Sequence, residues 1–359
     1  MQRVGIEEEL FVVDDQGRLV PESEAVLRAH RRLEPGDEID HELFLQQVEI
    51  QTDAHEDPVA LREDLIAQRS AAVAAARAAG FQLAAVPVDV LGGSEPAPTP
   101  GSRYARMIAR YGEIARNGMT CGMHVHVEVE DRVAVRVLDG LRPWTPLLNA
   151  LSANAPFFHG RDTAHASFRG HLWDMWPTAG AVDAFGDVKA YRTMVETAIS
   201  SGAAVDEHMV YLDARIAETL PTVEIRVADV CTEIDDALLV AELTRALVST
   251  VADESHDPGE WSLDLLRWAR WRARHDGLTG SLMDPATREF VAAEQALESL
   301  LTFVGPALDE AGTTDRVTTD LHRLLTTGNG AERQRAVAGD PADLHAVMAD
   351  VVRRTDPHH

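Results

Sequence analysis

The chain has 359 residues, 45% of them hydrophobic and only 5% aromatic, so aliphatic side chains must fill a sizeable core. A formal net charge of −26 argues against nucleic acid or an anionic membrane as partner. Lys189 is the only lysine and follows no glycine-rich loop, so a GxxxxGKS/T phosphate cradle is absent and arginine or metal ions must handle any phosphate.

Residues 4–13 read as a strand closed by the turn Asp14-Asp15-Gln16-Gly17. Alternation places Glu7 and Glu9 on one face and Glu8 on the other. Two acids on one face of an apolar strand repel each other and lose solvation if buried, and a cation between them relieves both costs. The bland alternative is a solvated edge strand guarded by acids. Residues 41–51 form a second acidic, strand-like stretch in which Glu42 and Glu49 are polar exceptions. Pro58 opens an alanine-rich helix over 59–79, stopped by Gly80. A strand over 81–91, a Pro/Gly loop over 92–101 and a helix over 103–114 follow. The strand 119–129 carries His124 and His126, which share a face; taken alone, hydrogen-bonded core or surface histidine is the favoured reading of the pair.

Asp131 is expected to cap a helix covering much of 132–152. The stretch 154–186 is irregular, rich in Gly, Pro, His and Trp, and long enough to suggest a functional loop that closes over a site. A helix over 187–201 precedes two strands, 209–217 and 222–230, which form a hairpin across Leu220-Pro221. In the second, Val223, Ile225 and Val227 face the core while Glu224 and Arg226 share the other face, with Asp229 a further polar exception. Helical periodicity then dominates, over 235–253, 259–274, 286–304, 314–326 and 341–354. No linker or repeat divides the chain. The pattern is α+β, one unit with a strand-rich part (1–230) carrying the site and a helical part (231–359) packing behind it. Cys121 and Cys231 lack any zinc or CxxC spacing, as in a reduced cytoplasmic protein. No signal-peptide pattern precedes Gly5, and no apolar run is long enough to span a bilayer.

Four strand-like segments therefore carry polar residues where strands are usually apolar. Carboxylates with few nitrogen donors suit Mg²⁺ or Mn²⁺ better than Zn²⁺. Arg226 beside Glu224 could hold a phosphate oxygen next to such a metal, or the two could form a plain surface ion pair. A metal-dependent hydrolase, a non-catalytic binding module and a scaffold with an acidic face all fit these residues too.

Gly5-Ile6-Glu7-Glu8-Glu9, Cys121-Gly122-Met123-His124-Val125-His126-Val127 and Thr222-Val223-Glu224-Ile225-Arg226-Val227-Ala228-Asp229 resemble the signatures of the bacterial glutamate–cysteine ligase type 2 family. The YbdK-type carboxylate–amine ligase branch is the nearer likeness. Arg103-Tyr104, Ser167-Phe168-Arg169, Trp176-Pro177-Thr178-Ala179-Gly180 and Tyr211-Leu212-Asp213-Ala214-Arg215 extend the resemblance over nearly the whole chain. It implies a glutamine-synthetase-like catalytic fold, a curved and mainly antiparallel sheet with helices on its outer face, whose inner face holds ATP and more than one Mg²⁺. By the same resemblance Glu7, Glu9, Glu42, Glu49, His124 and Glu224 take metal-ligand positions. Arg226 contacts the nucleotide phosphates, and Arg169 and Arg215 are candidates for phosphate or substrate carboxylate. The implied substrates are a small carboxylate and an amine, amino acids among them, in a protein that could form a homodimer. Two departures, Gly93-Ser94-Glu95-Pro96 in place of a Thr-His-Pro step and the missing serine and proline after Arg215, bear on substrate choice rather than on ATP chemistry.

Overall fold

The computed structural model describes residues 2–34 and 39–359. Strand β1 (Val4–Val13) is central. Its Val4, Ile6 and Glu8 point to the face covered by helices, and Glu7 and Glu9 point to the other, as alternation requires. Helix α1 (Ser23–Leu33), the short strand β2 (Asp40–His41) and β3 (Gln47–Gln51) follow. Helix α2 (Pro58–Ala78) starts where Asp57 accepts a hydrogen bond from the Val59 amide, with Pro58 in the first turn. Next come β4 (Gln82–Ala84), α3 (Ser102–Tyr111), α4 (Glu113–Asn117) and β5 (Gly122–Glu128). After them are α5 (Asp131–Leu141), α6 (Thr145–Ser152), the small hairpin β6 (Phe157–Phe158) and β7 (Arg161–Asp162), and α7 (Arg169–Trp173). Helix α8 (Val188–Ser201) leads to the hairpin β8 (Ala214–Ile216) and β9 (Thr222–Asp229). The rest is α9 (Ile234–Ala252), α10 (Leu263–Asp276), the hairpin β10 (Ser281–Asp284) and β11 (Glu289–Ala292), and α11 (Ala293–Ala311), α12 (Thr314–Thr327), α13 (Gly330–Ala338) and α14 (Leu344–Thr355).

The strands form one antiparallel sheet in the order β2-β3-β1-β5-β9-β8, with β4 pairing to the far end of β1. Val4, Ile6, Val125, Val127, Val223 and Ile225 pack from its outer face against α5, α6 and α9, with α11 behind α9. A second apolar cluster, including Leu10, Val12, Phe44 and Val48, is sealed by α1, α2, α3 and α14. This is the expected α+β arrangement, an antiparallel sheet with helices on its outer face. Burial of aliphatic side chains, at roughly 1.5–3 kcal/mol each, holds sheet and helices together. Glu8 is fully buried in that apolar layer, where it receives a bidentate pair of hydrogen bonds from Arg69 of α2. Arg69 also donates to the carbonyls of Cys231 and Thr232, tying α2 to the exit of β9.

Several boundaries differ from the sequence reading, for local reasons. Asp131 is not a cap: it lies in the first turn of α5, and Glu130 holds the N-cap position without a side-chain bond. The helix expected over 132–152 breaks between α5 and α6 where Pro143 and Pro146 remove amide donors. That over 103–114 breaks at Gly112, which has φ of +54°. The strand expected over 81–91 pairs only at Gln82–Ala84; beyond it Asp89 accepts from the amides of Gly92 and Ser94 and turns the chain away. In the stretch 209–217 only Ala214–Ile216 joins the sheet, while Leu212 bridges to Gly180. Glu42 lies between β2 and β3 rather than on a strand. The helix read over 286–304 is instead the hairpin β10–β11 followed by α11, α10 begins at Leu263 under a Ser262 cap, and α1 and α13 have no counterpart in the sequence reading. Cys121 and Cys231 are buried and free. Among the described residues no helix is long and apolar enough to cross a membrane.

Candidate active site

Strand register gathers the acids into a row across the inner face of the sheet. Glu9 pairs opposite Glu49, Glu7 opposite His124, His126 opposite Glu224, and Glu224 opposite Arg215. Because side chains alternate, all of these project from the face that the helices leave uncovered. His124 Nδ1 lies 3.0 Å from Glu7 Oε2, and His126 Nε2 lies 3.1 Å from Glu7 Oε1. Thr222 Oγ1 sits 3.0 Å from His126 Nδ1 and orients that ring. Glu9 Oε2 accepts from the Gly122 amide at 2.6 Å. Glu224 is held on both sides, by Arg215 Nε at 2.6 Å and by Arg226 Nη1.

Among the described residues two ligand sets emerge, each with donor atoms within 4.8 Å of one another: Glu7, His124 and Glu224, and Glu9, Glu49 and His124. Their electrostatics differ. Burial alone would raise the Glu7 carboxyl, but hydrogen bonds with His124 and His126 outweigh it and hold it well below the usual carboxylate range. Burial also works against ionised Glu224, and the charges of Arg226 and Arg215 overcome it. The Arg226 guanidinium is pushed up in turn: burial lowers it, but Glu224 and Glu9 more than compensate. In the second set compensation is incomplete, although His124, Arg169 and the Gly122 amide favour ionised Glu9. Glu9 is raised by burial and by the charge of Glu42. Glu49 is raised well above its ordinary value by burial and by Glu42, Glu7 and Glu9. Burial and the Arg226 charge keep His124 toward its neutral form, and its buried Nε2, 3.8 Å from Glu9 Oε1, has no hydrogen-bond partner. Crowded carboxylates around an orphaned neutral imidazole nitrogen are the donor set a divalent cation fits, and the oxygen-rich composition favours Mg²⁺ or Mn²⁺.

This second set opens into a cavity of about 360 Å³ lined by Glu9, Glu42, Glu49, His124, Arg215 and Arg226 on the charged side. Arg103, Tyr104, Met107, Trp173, Trp176 and Tyr211 also line it. Arg103 is paired to Asp206 at 2.8 Å. Lys189 is exposed on α8 and does not line the cavity.

Of the sequence candidates, the structure brings Glu7, Glu9, Glu42, Glu49, His124, Glu224, Arg215 and Arg226 together. Arg169 is different. It is 1% exposed, packs over Gly122 on the inner face without lining the cavity, and sits 3.9 Å from Asp229 and over the Trp173 ring, with its charge acting on Glu9. A Cβ at Gly122 would fall 2.1 Å from Arg169 Nη2, so glycine is what admits the guanidinium there. Its Nε and Nη2 have no hydrogen-bond partner. Trp173 and Trp176 show that the irregular 154–186 stretch supplies part of the wall. Sequence reasoning passed over Gln47 and Thr120, which also line the cavity. Gln47 could have been found, since it sits two residues before Glu49 and so shares its face.

The family model for glutamate–cysteine ligase family 2 matches residues 3–346. The chain belongs to this family. A relative from Nocardioides sp., named "Putative glutamate–cysteine ligase 2-1", is 41% identical over 99% of this chain and 96% of its own length. One from Streptomyces coelicolor, named "Putative glutamate–cysteine ligase 2", is 40% identical over 99% of both chains. The fold is shared with solved structures at much lower identity. A glutamate–cysteine ligase from Francisella tularensis in complex with AMP superposes with a TM-score of 0.74 at 15% identity, covering 99% of this chain and 88% of that one. A bifunctional glutathione synthetase from Pasteurella multocida gives 0.75 at 14%, covering 99% of this chain and 52% of that one. At the level of the family, the expectation of a carbon–nitrogen ligase is met.

Proposed function

We propose that this protein is an ATP-dependent ligase that joins a carboxylate to an amine through an acyl phosphate. The observation that carries this reading is the cavity itself: under-compensated Glu9 and Glu49 around the orphaned His124 Nε2 face the same space as Arg226 and Arg215. The AMP in the Francisella relative supports a nucleotide in a fold of this kind.

A carboxylate and a triphosphate repel each other, and the site must cancel that repulsion. Mg²⁺ held by Glu9, Glu49 and His124, with Glu42 beside them and Glu7 and Glu224 in the adjoining set, would supply positive charge to the phosphates. Arg226 is fixed by Glu224 and by the rings of Trp173 and Tyr211, 5.8 and 5.9 Å from its guanidinium carbon. So placed, it stabilises charge on the transferred phosphoryl group without reorganising. Arg215 shares the Glu224 carboxylate and holds the neighbouring phosphate or the substrate carboxylate. In the first step a substrate carboxylate oxygen attacks the γ-phosphorus and ADP leaves. In the second the amine nitrogen attacks the acyl carbon, phosphate departs and the nitrogen loses a proton. No protein nucleophile is needed. Trp173 and Trp176 line the space where water would otherwise reach the acyl phosphate.

The test is phosphate release from Mg·ATP across a panel of carboxylates and amines. Release that needs both partners is expected, and Glu9→Gln should abolish it. Release that needs neither partner would be plain ATP hydrolysis and would sink the ligase reading.

A further inference from the structure

The stretch from Trp173 to Gly180 closes on one side chain of the cavity wall, Tyr211. Its ring packs 4.6 Å from Trp173 and 5.3 Å, edge-on, from Trp176. Its amide donates to Thr178 Oγ1 at 3.2 Å, and that hydroxyl donates to the Met209 carbonyl at 2.5 Å. Leu212 bridges to Gly180 on the other side. The ring is therefore fixed, but its hydroxyl is not used. Tyr104, on the same wall, donates its hydroxyl to the His41 carbonyl at 3.2 Å. The Tyr211 hydroxyl makes no hydrogen bond among the described residues and is not sealed from solvent, so it opens into the cavity that the residue lines. Phenylalanine would pack on the two indoles equally well, and packing leaves the hydroxyl unexplained.

The surroundings of that hydroxyl narrow its ligand. The charges acting on it are the guanidiniums of Arg226, Arg103 and Arg215 and the carboxylate of Glu42. Burial outweighs the three arginines and keeps it protonated, so it is a donor. An ammonium would be repelled by the guanidiniums, and a hydrocarbon would leave the hydroxyl unpaired. An anionic oxygen satisfies both. Arg226 is the nearest guide to which anion: its charge is the strongest on the hydroxyl, and its guanidinium carbon lies 5.9 Å from the Tyr211 ring centre. A donor fixed beside Arg226 shares the ligand of Arg226. Resting on the ligase reading above, we propose that the Tyr211 hydroxyl donates a hydrogen bond to an oxygen of the phosphoryl group in transfer. It keeps its own proton and, being held by Trp173, Trp176 and Thr178, needs no reorganisation as charge develops there.

Calorimetric titration of the full chain with magnesium and ADP, with and without beryllium fluoride as a stand-in for the phosphoryl group, tests the proposal. Beryllium fluoride should tighten ADP binding to the parent. Tyr211→Phe keeps the ring and should lose about tenfold or more of that gain, the value of a hydrogen bond to a charged acceptor. Its affinity for ADP alone should stay within about twofold of the parent. If Tyr211→Phe gives no cooperative melt, Thr178→Val, which frees the Tyr211 amide, should lose part of the gain, and Thr178→Ser should retain it. An equal gain in parent and variant, no gain in the parent, or a loss as large for ADP alone would overturn the proposal. The second readout is ADP formed from Mg·ATP across the acid–amine panel. A gain lost in Tyr211→Phe, with no ADP from any pair, would remove the ligase reading and leave the phosphoryl contact standing. ADP that needs both partners, with equal gains in parent and variant, would remove Tyr211 alone.

Discussion

Glu9 stands directly opposite Glu49 across the β1–β3 ladder. Like charges in that position destabilise a sheet, and both carboxyls are raised by burial and by neighbouring acids. A bound cation turns this liability into a binding site. Magnesium or manganese should therefore raise the melting temperature, and at a hundredfold excess over Kd the gain is about 2.7 kcal/mol. Glu9→Gln should remove the metal-dependent increment, yet be at least as stable as the parent in chelator, because it deletes one of the repelling charges. Calorimetric melts with and without metal check both parts, and an unchanged metal increment in Glu9→Gln would take Glu9 out of the site.

Arg226→Lys keeps a positive charge beside Glu224 but loses the guanidinium fork. Arg215 still pairs with Glu224, so the fold should hold with little change in melting temperature. Losing a preorganised donor to the transferred group should lower kcat by about 10²–10³-fold. Steady-state kinetics decide it: unchanged kcat assigns Arg226 to structure alone.

Arg69→Met leaves the Glu8 carboxylate buried without its partner. The loss should be about 3–5 kcal/mol in urea unfolding, with no need for nucleotide or metal to see it. Adding Glu8→Leu should recover much of that stability, since an apolar pair of similar volume removes both buried charges. A double variant as unstable as the single one would contradict a purely local electrostatic cause.

Asp229 is pushed up to about 6 by burial, which outweighs the nearby Arg169 charge and its hydrogen bonds from Asn154 and Ser167. A raised folded-state value means this group's stabilising contribution is full below the unfolded value near 3.9. It fades as pH climbs through 6, by about 3 kcal/mol in all for a two-unit shift. Asp229→Asn cannot ionise, so the stability difference between variant and parent should move in the variant's favour between pH 4 and 7. Melting curves of both proteins across that range measure it, and parallel curves would show that Asp229 does not titrate there.

Much of the site was legible along the chain because a strand has a period of two. Glu7 and Glu9, His124 and the Glu224/Arg226 pair fell on the correct face from spacing alone. Glu42 and Glu49 needed the family resemblance, since Glu42 lies off the strands and spacing says nothing about a residue in a turn. Arg169, which the motif placed near the site, packs over Gly122 on that same face, where its charge acts on Glu9 although it does not line the cavity. Boundaries failed where local competitors won, as at Pro143, Gly112 and the Asp89 turn. The β10–β11 hairpin was hidden because its short strands are settled by pairing with each other and packing on α11, not by periodicity.

What the amino-acid order determined by itself was the alternation that puts carboxylates on one side of apolar strands, and the want of lysine that leaves phosphate to arginine and metal. Tertiary structure alone decided which acids meet. Register sets Glu9 against Glu49 and Glu7 against His124, distributes the arginine charge so that Glu224 is neutralised and Glu49 is not, and closes Trp173, Trp176 and Tyr211 into one wall. The physical reason is range. Side-chain direction follows from bonds within a few residues, whereas charge compensation and desolvation depend on groups a hundred or more positions apart that only the packed sheet brings within a few ångströms.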